Sequence, residues 1–134
     1  MSWKEYAHLK KDEKAIAERW VRQIPIQGKR EYDVHLKVEE PETPAWWTKK
    51  DIQIYHGLWD KRIDLVVHGS DAIWIMEITP KVSKAAIGGC LAYRDLYEKQ
   101  FNPKLPVNLG IIVEMDDPNY HSTLEKLEIK LWVV

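Results

Sequence analysis

The feature that most constrains the fold is a pair of apolar runs, residues 62–68 (Arg-Ile-Asp-Leu-Val-Val-His) and 72–79 (Ala-Ile-Trp-Ile-Met-Glu-Ile-Thr), separated by Gly69-Ser70-Asp71. Short β-branched runs around a turn tripeptide predict a β-hairpin. Both runs are apolar on both faces, the pattern of strands covered on each side rather than of a half-wet sheet. With Ser70 and Asp71 at the turn centre, residues symmetric about that point face each other, so Val67 meets Trp74 and Asp64 meets Glu77. Period-two alternation places Asp64, Val66, His68, Ile73, Ile75 and Glu77 on one face and Ile63, Leu65, Val67, Trp74, Met76 and Ile78 on the other. Each acid thus interrupts an apolar face.

Two carboxylates set directly opposite repel one another unless a cation lies between them or one keeps a proton. A divalent ion resolves the conflict, and Mg²⁺ or Mn²⁺ prefers hard oxygen ligands, typically one or two carboxylates completed by waters and a substrate phosphate. Asp64 and Glu77 are therefore the candidate metal ligands. The alternative is that they lie at the open end of the hairpin, near solvent, each paired with Lys61, Arg62 or Lys81. A slip of one residue in register would place the two acids on opposite faces.

The rest of the chain frames this hairpin. Ala15, Ile16, Trp20, Val21 and Ile24 recur at helical spacing among Lys11, Lys14, Arg19 and Arg22, predicting an amphipathic helix that Pro25 ends. Residues 31–38 alternate, with Val34, Leu36 and Val38 on one side and Asp33, His35 and Lys37 on the other, as in a half-exposed edge strand. Pro41 and Pro44 open a stretch expected to be irregular as far as Asp60. Ser83 precedes a helix running to about Gln100, stopped by Asn102-Pro103. Residues 107–113 then read as a buried strand, 118–127 as a short helix and 129–134 as a last strand. The order α-β-ββ-α-β-α-β predicts an α/β or α+β domain, a mixed sheet packed between helices.

The 134 residues suffice for one core, so a single domain over 1–134 is expected. Twenty basic against 21 acidic side chains leave a net charge of −1, which excludes coating of nucleic acid by overall charge and confines any such contact to local patches. Lys49, Lys50, Lys61, Arg62, Lys84 and Arg94 are the candidates. The single Cys90 forms no internal disulfide and suits a reducing compartment. Residues 1–6 are charged from Lys4 onward and no apolar run reaches membrane-span length, so a cytoplasmic location is expected. Most of the seven tryptophans read as packing. Trp46 and Trp47 differ: two adjacent loop rings do not easily both turn inward, which points to a protein partner or to stacked bases.

Asp64 followed by Glu77 on the next strand, with a helix after it, resembles the PD-(D/E)xK motif of the restriction-endonuclease-like superfamily. The resemblance spans about 57–113. Arg62-Ile-Asp64, Trp74-Ile-Met-Glu77-Ile-Thr-Pro80 and Ala86-Ile-Gly-Gly-Cys-Leu-Ala-Tyr93 are similar to stretches of small nuclease-like proteins of tailed phages. This implies a mixed sheet flanked by helices on both faces, Mg²⁺- or Mn²⁺-dependent hydrolysis of DNA phosphodiesters, and Asp64 and Glu77 as catalytic metal ligands with a main-chain carbonyl near Ile78. A helix ahead of the sheet often adds an acid in that family, for which Glu18 is the candidate and Glu13 the next.

Two positions depart from the pattern. Period two would bring a lysine out beside Glu77 to stabilise charge on the phosphate, and that position is Thr79, which offers a hydroxyl and no charge. Lys81 and Lys84 are the candidate substitutes, their long stems able to reach back. The Gln of the family's Gln-x-x-x-Tyr pattern falls on Gly89, while Tyr93 remains; the Gly88-Gly89 pair suggests close approach of helix to sheet. These losses leave open a second expectation, a non-catalytic virion component at the head-to-tail junction that keeps the nuclease fold for assembly with other virion proteins or with its own copies. The protein would then act in the virion rather than in the host cell. A groove retained for DNA binding or inhibition without chemistry is a third.

Overall fold

A computed structural model describes residues 11–23, 26–39, 42–59 and 61–134. Ile24, Pro25 and Pro41 lie outside the described residues, as does the N-terminal hexapeptide. The elements run α1 (Lys11–Gln23), β1 (Lys29–Leu36), α2 (Lys49–Trp59), β2 (Lys61–His68), β3 (Ile73–Ile78), α3 (Lys84–Phe101), β4 (Val107–Val113), a 3-10 turn (Pro118–Tyr120), α4 (His121–Lys126) and β5 (Ile129–Val133). Five strands form one sheet in the order β1-β2-β3-β4-β5. The first three are antiparallel; β4 and β5 run parallel to β3. The fold is thus a mixed α+β arrangement, with β1 at an edge as its alternation suggested.

The hairpin register is the symmetric one: Val67 pairs with Trp74 and Val66 with Ile75. β-Branched side chains at these positions fit the pleated, buried surface. Side chains of alternate parity feed two separate apolar clusters. Val66, Ile73 and Ile75 join Ala86, Ile87 and Cys90 of α3 and Leu124 of α4. Leu65, Val67, Met76 and Ile78 join Ile16, Ala17 and Trp20 of α1. Trp132 sits edge-on to both Trp20, at 5.9 Å between ring centroids, and Trp74, at 5.5 Å. Gly110 permits this packing, because a Cβ there would collide with the Trp132 ring. Nothing in the sequence pattern marked that glycine.

Capping explains the helix boundaries. Ser83 is extended and its hydroxyl accepts the Ala86 N–H at 3.1 Å, opening α3. Asn102, at φ 43°, closes it in the left-handed region that Asn tolerates. The stretch expected to be irregular between Pro41 and Asp60 instead contains α2. Its start is a reciprocal box: the Thr48 N–H donates to Asp51 Oδ2 at 2.9 Å and the Asp51 N–H to Thr48 Oγ1 at 3.1 Å. The Thr48-x-x-Asp51 spacing is the sequence signal for this start, and the expectation of an irregular stretch, built on Pro41 and Pro44, did not take it in. β1 also begins and ends two residues earlier than the alternation suggested.

Candidate functional site

The ladder between β2 and β3 is regular from His68–Ile73 to Leu65–Met76 and stops there. At the next level stand Asp64 and Glu77. In place of a backbone pair, Asp64 Oδ2 accepts the Ile78 N–H at 2.9 Å. The two carboxyls lie close enough to act strongly on one another, so the sequence-predicted pair is brought together. Both residues keep some open surface, but the carboxyl ends are the enclosed part: Glu77 Oε1 is buried and has no hydrogen-bond partner.

Burial is the main force on both acids and raises both pKa values, because it penalises the charged form. For Asp64 the Ile78 N–H opposes the rise, while the charge of Glu13 adds to it. For Glu77 the Asp64 charge is the second cause, and Glu77 is raised further than Asp64. The side-chain charges acting most strongly on the pair are all acidic: the two partners themselves, Glu13 and, on Asp64, Asp33. A pair in this setting holds a proton or binds a cation.

Helix α3 covers the pair. A Cβ on Gly89 would stand 4.0 Å from Glu77 Cδ and 3.9 Å from Tyr93 Cε2, so this glycine opens directly onto the carboxyl. Those are ordinary van der Waals distances, and a Cβ on Gly88 would meet nothing within 4 Å. The expectation that the glycines are needed for close helix–sheet approach is therefore corrected: the space is a gap. Cys90 lies beneath, its thiol donating to the Gly110 carbonyl at 3.6 Å. Its pKa is pushed up by burial and then by the charges of Glu77 and Asp64. Tyr93 is raised in the same way and forms a wall.

The acid contributed by α1 is Glu13, half-buried, and not Glu18, which is exposed. A further acid, Asp33, was missed. It lies on β1 between the Tyr32–Leu65 and Val34–Ile63 pairs, hence level with Asp64. Its side chain is only 10 % exposed, and its φ of 56° is in the left-handed region. Alternation breaks at this level: Tyr32 and Leu65 join the cluster under α1, whereas Val34, Leu36 and Ile63 join the one under α3. Period-two reasoning, which put Asp33 on the solvent side with His35, fails where the backbone leaves the extended region. Asp33 contacts Arg62 Nη1 and His35 Nε2, each at 3.5 Å.

Thr79 is half-buried and its N–H donates to the Ile112 carbonyl at 3.0 Å, extending the β3–β4 pairing. Lys81 is exposed and held by a backbone bridge to Met115; Lys84 is exposed in the first turn of α3. Among the described residues no helix is long and apolar enough to cross a membrane. Nor do three or more His, Cys, Asp or Glu side chains among them form a group that could hold a metal ion. Comparison with protein-family models, curated proteins and solved structures finds no match for this chain.

Proposed function

We propose that the protein is a PD-(D/E)xK-type nuclease in which Asp64 and Glu77 hold Mg²⁺ or Mn²⁺ for hydrolysis of DNA phosphodiesters. One observation carries the reading: two enclosed carboxyls close enough to act on one another, with a buried orphan oxygen on Glu77 and only acids among the strongest neighbouring charges. The orphan oxygen and the surplus negative charge fit a hard divalent cation. When bound, such an ion supplies an activated water and charge for the phosphate oxygens. The strand order, with three antiparallel strands followed by a helix and a parallel fourth, supports the same reading, as does Tyr93 beside Glu77.

In this mechanism Asp64 is oriented by the Ile78 N–H, and a main-chain carbonyl near Ile78 would complete the set that holds the ion. Thr79, two residues after Glu77 on the chain, would offer the substrate a hydroxyl in place of a charge. Lys81 and Lys84, both exposed, would supply the positive charge for the scissile phosphate from flexible stems. A groove of about 640 Å³ beside the C-terminal turns of α3, lined by Lys37, Lys61 and Lys99 together with Glu39, Val38, Leu96 and Gln100, is where a phosphate backbone would meet basic side chains. The test is cleavage of supercoiled plasmid with Mg²⁺ or Mn²⁺. Nicking that disappears in the Asp64→Ala, Glu77→Ala double variant supports the assignment, and nicking unchanged in that variant removes it.

A second reading has its own observation: Thr79 brings no charge and the Gly89 gap leaves Glu77 Oε1 without an amide donor. Here the fold serves assembly, as a head-to-tail virion component interacting with other virion proteins or its own copies. Metal binding without cleavage, together with ring-sized particles in sedimentation, distinguishes this reading from the first. Active monomer in the same experiments excludes it.

A further inference from the structure

Away from the carboxyl pair, the chain builds an aromatic concavity of about 350 Å³ where the 42–48 segment meets α2, lined by Trp46, Trp47, Asp51, Ile54 and Tyr55. The rings are set at steep angles: Trp46 to Trp47 at 75° and 6.2 Å between centroids, Trp47 to Tyr55 at 76° and 5.2 Å. Trp46 is 81 % exposed and Ile54 58 %, so two large apolar side chains stand in water at one place. Isolated exposure of an apolar residue is ordinary, but rings and an aliphatic side chain converging on one cavity are not.

Among the described residues of the lining, the only charged side chain is a carboxylate. Asp51 receives both the Thr48 N–H, at 2.9 Å, and the Thr48 hydroxyl, at 2.8 Å, on the same oxygen, Oδ2. Those bonds lower its pKa, chiefly through the backbone N–H, and keep it ionised. The same bonds fix it at the start of α2, so its position is set by the fold rather than by a free rotamer.

Perpendicular aromatic faces around one fixed carboxylate have the chemistry that recognises an organic cation. Ring faces attract positive charge, and a bulky, weakly hydrated head group leaves water for them most readily. A nucleobase would use the rings, but the phosphates adjoining it would be repelled by the carboxylate. We propose that this cavity binds the head group of an organic cation of the alkylammonium class, either a small quaternary ammonium compound or a methylated lysine side chain on a partner. The site is independent of the nuclease reading, since none of its residues belongs to the carboxyl pair.

The experiment follows the tryptophan indole N–H resonances of the ¹⁵N-labelled full chain during titration with choline, its uncharged tert-butyl isostere, a trimethyllysine peptide and oligothymidine. The proposal expects saturable shifts of the Trp46 and Trp47 resonances with choline or the peptide, while those of Trp20 and Trp132 stay in place. The tighter of these two ligands identifies the source. The isostere should bind roughly tenfold more weakly, as expected from loss of cation–π and carboxylate attraction. Trp46→Ala should abolish the shift, and Asp51→Asn, which keeps an oxygen for Thr48, should weaken binding without unfolding α2. Equal binding of the isostere, shifts with oligothymidine alone, or no saturable shift with either cation would overturn the proposal.

Discussion

The turn half of the β2–β3 hairpin and the carboxyl pair at its open end share two strands, yet they act on stability with opposite sign. Toward the turn, Val66, Val67, Ile73 and Ile75 complete the ladder and bury apolar surface on both sides of the sheet. Toward the open end the ladder stops, Asp64 takes a backbone N–H for itself, and two carboxyls share an enclosed space. Burial there costs energy instead of releasing it. The stable half holds the costly half in place, and that cost is what a bound cation would offset.

The comparison is sharpest under substitution. Ile75→Ala, at a fully buried position in the turn half, should lower unfolding free energy by about 2–5 kcal/mol in urea denaturation. In the open half the sign reverses: Glu77→Gln removes the ionisation conflict, and the metal-free protein should gain on the order of 1 kcal/mol above neutral pH. A loss of comparable size at Glu77 would mean that its carboxyl is a net stabiliser and would break the contrast.

The pH dependence follows from the directions of the two shifts. Both folded-state pKa values are raised, so the folded chain holds protons that the unfolded chain has released above about pH 4. Stability is fully present below that point and falls as pH rises through the raised values, opposite to the usual acid-denaturation slope of carboxylates. Thermal unfolding of the metal-free protein at a series of pH values should show this decline, with Glu77→Gln flattening it.

Smaller effects come from the helix above the site. Gly88→Ala, where the added methyl meets open space, should stabilise α3 by about 0.5–1 kcal/mol in the same denaturation assay. Trp46→Ala, far from both halves of the hairpin in character and largely exposed, should change stability by less than about 0.5 kcal/mol.

Much of the hairpin was legible in the sequence because two-sided burial and a short turn leave one register that keeps every apolar side chain inside. That is why Val67–Trp74 and the closeness of Asp64 to Glu77 followed from counting. Ser83 and Asn102 announced α3 for an equally local reason, the capping chemistry of their side chains. What failed to show was set by non-local packing or by backbone departures. Asp33 lies beside Asp64 only because β1 turns left-handed there, and a period-two rule carries no information about such a break. Glu13 rather than Glu18 approaches the pair because of how α1 docks on the sheet, which its own periodicity leaves undetermined. The Gly89 gap needed Glu77 and Tyr93 to be placed before it could be seen.

Mn²⁺-dependent thermal unfolding tests most directly whether Asp64 and Glu77 form a cation site. Wild-type protein should melt higher with saturating Mn²⁺, by more at about pH 8 than at about pH 5 because binding requires both carboxyls ionised. The Asp64→Asn, Glu77→Gln double variant should show no such shift. Identical melting with and without Mn²⁺, or an equal shift in the double variant, would contradict the assignment.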